Sequence, residues 1–119
     1  MPEPRFLEED HRPWGYYQVL LDEPTYKVKR IVVLPGKRLS YQYHRRRAEH
    51  WFVVEGRGIV TRNDERIPVS EGDALDVPKG AKHRIENDGR APLAFLEIQR
   101  GDYFGEDDIV RVEDDFGRV

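Results

Sequence analysis

One stretch of ten residues, "YQYHRRRAEH" from Tyr41 to His50, gathers a glutamine, two histidines, a glutamate and three consecutive arginines. A neutral imidazole nitrogen and a carboxylate oxygen are ordinary ligands for a divalent cation. The forked donors of arginine suit a phosphate better than lysine does. On an extended strand, residues two apart point to the same face, so Gln42 and His44 project side by side. Glu49 lies beyond a short turn, expected around residues 45–48, on the next strand, where it can face back. His50, its neighbour, then points the other way. The chain has no cysteine, so there is no disulfide framework, and any metal must be held by nitrogen and oxygen. The plain alternative is a polar strand followed by a solvated arginine turn.

The elements that would have to position these groups are short. Apolar runs such as "YYQVLL", "TYKVKRIVVL", "EHWFVV", "GIVTR", "HRIEN" and "LAFLEIQ" alternate with turn pairs such as Pro35-Gly36, Glu55-Gly56, Asn63-Asp64 and Lys79-Gly80. β-branched and aromatic residues recur with period two, and no long stretch has helical periodicity. That pattern predicts an all-β sandwich or barrel. The tail "GEDDIVRVEDDFGRV" is expected to form a short strand or helical turn closing over one end. The length of 119 residues points to one domain, 1–119.

Net charge is −3 with both signs interspersed, which argues against nucleic acid held by bulk charge. The N-terminus "MPEPRFLEED" has no apolar run of the signal-peptide kind. No stretch approaches the roughly 18 apolar residues of a spanning helix. The expectation is a cytoplasmic protein with no membrane partner. Exposed sheet edges lead us to expect a homodimer.

Two longer patterns frame the ten residues. "GKRLSYQYHRRRAEHWFVVEG" runs from Gly36 through Gln42, His44 and Glu49 to Gly56. "GDALDVPKGAKHRIEN" runs from Gly72 through Pro78, Gly80 and His83 to Asn87. In order and spacing they resemble the two motifs of the cupin superfamily, with glutamine where the first motif most often has histidine. The resemblance implies a double-stranded β-helix, a jelly-roll barrel that brings His83 opposite the first motif. It makes Gln42, His44, Glu49 and His83 the expected ligands of one divalent metal ion. Zinc heads the expectation, with manganese, iron, nickel and cobalt left open.

A narrower likeness covers about residues 12–118. "RPWGYY", "YKVKRIVVLPG", "QYHRRRAEHWFVVEG" and "GDYFGEDDIVRVEDDFGR" together resemble the C-terminal domain of type II mannose-6-phosphate isomerases. In that family the domain usually follows a mannose-1-phosphate guanylyltransferase domain. There is no room for one in this sequence, so that second activity is not expected. The resemblance implies metal-dependent interconversion of mannose 6-phosphate and fructose 6-phosphate through an enediolate. Its functional arginines fall on Arg47, Arg111 and Arg118. The family often has further histidines after His44, where this chain has Arg45 and Arg46.

Such an isomerisation needs a base with a pKa near the working pH. Lys29 and Glu97 are the candidates on strands of suitable pattern; their plain alternative is an ion pair. Arg47 would act beside them from the barrel mouth, gripping phosphate with Arg111 and Arg118. Trp14 and Trp51 read as packing rather than sugar platforms. Two other functions stay open: a sugar-phosphate-binding cupin without turnover, and another metal cupin enzyme.

Overall fold

The computed structural model describes residues 6–118. Among them every regular element is a strand. In chain order they are β1 (Glu8–Arg12), β2 (Gly15–Asp22), β3 (Tyr26–Val33), β4 (Tyr41–Tyr43), β5 (Arg47–Glu55) and β6 (Arg57–Arg62). There follow β7 (Glu65–Ser70), β8 (Ala74–Val77), β9 (His83–Glu86), β10 (Leu93–Gly101) and β11 (Val110–Glu113). One sheet has the order β1-β2-β3-β10-β5-β8 and the other β11-β4-β9-β6-β7, and all pairings are antiparallel. This is the two-sheet cupin barrel that the sequence pattern predicts. No helix is long and apolar enough to cross a membrane.

The turn chemistry explains the alternation. Asn63 and Asp64 join β6 to β7 with φ of 47° and 69°, the left-handed pair that a two-residue hairpin demands. Gly101 ends β10 where a Cβ would run into the Arg46 carbonyl oxygen, so only glycine lets the two backbones approach there.

The tail forms a strand, not a helical turn: β11 pairs with β4 and so lies along the first motif. The crossover between β4 and β5 is shorter than the expected 45–48. β5 already begins at Arg47, and β4 and β5 belong to different sheets. Arg47 is therefore a buried strand residue, only 4% exposed, rather than a residue of the mouth. The chain must leave one sheet and enter the other within three residues, so the next residue is already paired with β10.

Strand register decides which side chains meet. Glu97 lies opposite Lys29 on β3 and Trp51 on β5, Gln99 lies opposite Glu49, and Gln42 lies opposite His83. One end of the interior is apolar, packed from Val33, Val53, Val60, Ile85, Leu93 and Phe95. Each such side chain contributes on the order of 1.5–3 kcal/mol by leaving water.

A candidate metal centre beneath an arginine-lined pocket

His44, Glu49 and His83 converge inside the polar end of the barrel, all buried, with their ligand atoms within 4.8 Å of one another. Three different elements deliver them: the end of β4, β5 and β9. Each imidazole is turned by a backbone carbonyl. His44 Nδ1 lies 2.8 Å from the Asp108 oxygen, and His83 Nδ1 lies 2.9 Å from the Ala81 oxygen. A carbonyl only accepts, so each Nδ1 donates and each Nε2 is left with a lone pair. Those lone pairs face the Glu49 carboxylate: His44 Nε2 is 3.2 Å from Oε2 and His83 Nε2 is 3.7 Å from Oε1. His83 Nε2 has no hydrogen-bond partner although it is buried. Three acceptors pointed at one another, one of them orphaned, call for a cation between them. Carbonyl-oriented imidazoles are also how proteins usually hold metal-binding histidines. The donor set thus fits a divalent metal with nitrogen and oxygen preference.

The surroundings keep the group ready for a cation. Burial alone would raise the Glu49 carboxyl, but its contact with His44 and the charge of Arg47 hold it well below the ordinary carboxylate range. Burial pushes His83 down, which keeps its imidazole neutral and able to ligate. Trp51 donates its indole N–H to Glu49 Oε1 at 2.9 Å, and Arg47 Nε donates to Oε2 at 2.9 Å. Trp51 thus packs, as expected, and also orients a ligand. Gln42 lies opposite His83 and accepts a hydrogen bond from Ser40 Oγ at 2.9 Å through its carboxamide oxygen.

Next to this group, and joined to it by Arg47, lies a pocket with only about 50 Å³ of open space. Arg47, Arg111 and Arg118 all line it, as do Lys29, Glu97 and Gln42. The arginines differ in what they already hold. Arg118 gives two hydrogen bonds to Asp114, at 2.7 and 2.9 Å. Arg111 has a buried Nε with no partner, as does Nη1 of Arg47. Burial, and then the neighbouring Arg118, push the Arg111 guanidinium below its usual range. Arg45 and Arg46 are exposed; Arg45 contacts Tyr43, and Arg46 contacts Asp102 and the ring of Tyr103.

The two base candidates separate. Lys29 Nζ is paired with Glu106 at 2.5 Å and lies 4.2 Å from the Tyr17 ring centroid, which is the ion-pair alternative. Glu97 is fully enclosed. Burial and then the charge of Glu49 push it up to about 7, against the pull of Arg47 and Lys29. A carboxylate poised there can both take and return a proton near neutral pH. Gln99 Nε2 donates to it at 2.5 Å.

Sequence reasoning missed Arg12 and Glu106, which also line the pocket. Arg12 sits at the end of β1, paired with Asp10 at 2.8 Å and stacked toward Tyr17. Its place in "RPWGYY" beside the Trp14 that walls the same pocket was the available signal. For Glu106 the signal was its place in "GDYFGEDDIVRVEDDFGR".

Known proteins show the same domain. The chain is 49% identical over 109 residues to the xanthan biosynthesis protein XanB of Xanthomonas campestris pv. campestris (strain B100), covering 92% of this chain and 23% of that protein. It is 47% identical over 110 residues to a mannose-1-phosphate guanylyltransferase of Klebsiella pneumoniae, again covering 92% and 23%. The chain therefore spans about a quarter of the length of these relatives. Among solved structures, the capsular polysaccharide assembling protein CapF from Staphylococcus aureus superimposes with a TM-score of 0.81 at 23% identity, covering 93% of this chain and 33% of that one. A conserved protein with a double-stranded beta-helix domain from Klebsiella pneumoniae superimposes with a TM-score of 0.72 at 21% identity, covering 81% and 82%. Both bear on the fold alone. The family model described as mannose-6-phosphate isomerase C-terminal matches residues 3–114, and the chain belongs to that family.

Proposed function

We propose that this domain interconverts mannose 6-phosphate and fructose 6-phosphate. The observation that carries the reading is the meeting, in one pocket, of a buried carboxylate poised near neutrality and a cluster of arginines, joined to the His44–Glu49–His83 group through Arg47. A divalent cation held by those three, with Gln42 as a fourth ligand and zinc as the first expectation, would polarise the C1 and C2 oxygens of the sugar. Glu97 is the base: its carboxylate accepts the proton from C2 and returns it to C1, while the O2 hydroxyl proton passes to O1, so that the C1 carbonyl becomes a hydroxyl and the C2 hydroxyl a carbonyl. Arg47, flanked by Glu49 and Glu97, faces the developing enediolate oxygen. Arg111, Arg118 and Arg12 take the phosphate, as a fork of guanidinium donors does best. Lys29 serves by its charge, holding Glu106 and moderating Glu97, rather than as the base.

The test is a coupled assay of mannose 6-phosphate turnover, with EDTA and with metals restored, alongside elemental analysis of wild-type, His44→Ala and His83→Ala proteins. Turnover that needs metal, and metal content that falls in both variants, is the expected result. Equal metal in wild-type and His83→Ala proteins would end the ligand assignment. A second reading, sugar-phosphate binding without turnover, stands beside it because the same fold serves both binding and catalysis. Phosphate-dependent binding with no turnover under any metal would favour it. The third reading, another metal cupin enzyme, has less support, because a substrate without phosphate leaves the arginines unexplained.

We further take the working form to be a cytoplasmic homodimer. Phe52 and Val54 on β5 and Ile98 on β10 are exposed, and strand parity places them on the outer face of the six-stranded sheet. A monomer by sedimentation at micromolar concentration would remove this claim.

A further inference from the structure

Between Gly101 and Val110 the chain passes over the pocket, where Glu106 and Ile109 form part of the wall. This strap is fastened to the metal group at one residue. The Asp108 carboxylate accepts the backbone N–H of Arg45 at 3.1 Å through Oδ1 and that of Arg46 at 2.9 Å through Oδ2. These are the two residues of the crossover that directly follow His44. The backbone carbonyl of the same Asp108 accepts the N–H of His44 Nδ1 at 2.8 Å. One residue thus grips both the crossover and the imidazole that the crossover carries.

We propose that Asp108 is a positioning residue for the metal centre: its carboxylate pins the strap to the β4–β5 crossover, which holds its carbonyl against His44 and aims the Nε2 lone pair at Glu49 and His83. The proposal rests on the metal reading given above and adds the residue that sets one ligand's tautomer. The chemistry is specific. A carboxylate offers two oxygens to two adjacent amide donors, and no other side chain does so at equal strength. Without that grip Asp108 keeps its own N–H bond to the Gly105 oxygen at 3.1 Å, and Val110 keeps its pairing with Tyr43, but the carbonyl is held less firmly against His44, whose Nε2 also contacts Arg47 Nη2 at 3.2 Å. The neighbouring Asp107 supplies an internal control. Its carboxylate accepts from the Tyr103 hydroxyl within the strap and makes no hydrogen bond to the crossover.

The experiment measures zinc affinity by chelator competition on the full chain for wild type, Asp108→Ala, Asp108→Asn and Asp107→Ala. Imidazole tautomers are read from nitrogen-15 NMR of the zinc-free proteins. Loss of a group that orients a metal ligand typically weakens metal binding by about ten- to a hundredfold. That loss is expected for Asp108→Ala, together with mixing of the His44 tautomers. Asp108→Asn keeps one acceptor oxygen and falls between; Asp107→Ala matches wild type. Zinc binding by Asp108→Ala within about twofold of wild type, with His44 still protonated on Nδ1, overturns the proposal. If Asp108→Ala does not fold, wild type and Asp108→Asn still decide it: a His44 protonated on Nε2 in wild type, or full wild-type affinity and tautomer in Asp108→Asn, is fatal. Failure of the underlying metal reading looks different, because His83→Ala would then bind zinc as wild type does.

Discussion

The two ends of the barrel are built on the same strands and made of opposite materials. Along the inward face of β10 the sequence runs Leu93, Phe95, Glu97, Gln99; along β5, in the antiparallel sense, it runs Val53, Trp51, Glu49, Arg47. β3 changes from Val33 and Ile31 to Lys29, and β9 from Ile85 to His83. β10 and β3 switch at the same height, because register aligns Phe95 with Ile31 and Glu97 with Lys29; β5 switches one pair further on, with Trp51 opposite Glu97 and Glu49 opposite Gln99. Both halves are dry, and only the apolar half lowers the free energy simply by being so. In the other half the charges of Lys29, Arg47, Glu49 and Glu97 are desolvated and must be met by partners. The fold is anchored at one end so that the other can hold an arrangement that would not stabilise itself.

The largest contrast should come from one truncation in each half. Phe95→Ala opens a cavity in the apolar end and should cost about 3–5 kcal/mol of stability, measured by urea denaturation. Glu97→Gln, next along the same face, removes a buried acid that burial disfavours. Its stability should match or exceed wild type, while kcat falls by roughly 10²–10⁴ if Glu97 is the base. A Glu97→Gln enzyme with unchanged kcat would leave proton transfer to another group. A Phe95→Ala protein with undiminished stability would break the division of labour itself.

The same contrast has a pH signature. The groups around Glu97 are Lys29 from β3, Arg47 and Glu49 from β5, and Gln99 on its own strand. Its folded pKa of about 7 lies above the ordinary value of 4.5, so the folded state binds the proton more tightly than the unfolded chain does. The stability this contributes is complete below about pH 4.5, declines as pH rises toward 7, and is gone above. A shift of that size corresponds to about 3 kcal/mol. Activity should move the other way, rising through pH 7 as the carboxylate forms. Glu49, held low, acts in a separate window: its contribution is present above the ordinary carboxylate pKa and is lost as acid protonates it. His83, held low, tilts stability upward with pH in both proteins over the same range. In the metal-free state the stability of wild type relative to Glu97→Gln should therefore fall as pH rises from 4.5 to 7. Parallel curves would remove Glu97 as the source.

How much of this could be read in the sequence depends on whether spacing or register carried the information. His44, Glu49 and His83 lie at fixed separations inside two motifs, and strand parity alone turns His44 inward and His50 outward; His50 is exposed and bonded to Asp76 at 2.6 Å. Lys29 and Glu97 were identifiable as inward polar residues on apolar strands. Their different fates were not, because Lys29 is engaged by Glu106, 77 residues away in the chain. The crossover was misplaced because period-two reasoning has no term for a chain that changes sheets, so Arg47 looked like a mouth residue. Arg12 and Asp108 are ordinary surface types until β1 and the strap are folded into place.

The arginines give the finest test of where the polar half ends. Arg111→Ala removes a guanidinium whose buried Nε has no partner. Losing such a charge-assisted contact should cost about 1.5–3 kcal/mol, a ten- to hundredfold drop in kcat/KM for mannose 6-phosphate. Arg47→Ala should cost at least as much, since it also strips Glu49 of a donor. Arg118 is already committed to Asp114, which that pairing holds at a pKa of about 2, so it has less to give and its loss should be milder. Arg12, partly exposed and shared with Asp10, should behave like Arg118. Arg45→Ala should be smallest of all. Its side chain is exposed and touches only Tyr43 and solvent, and surface substitutions of that kind usually stay within about 0.5 kcal/mol. Steady-state kinetics on the five variants, with metal quantified in each, would rank them. Mild and equal losses throughout would reduce the arginines to surface charge and leave only the buried metal group as the distinguishing feature of that end.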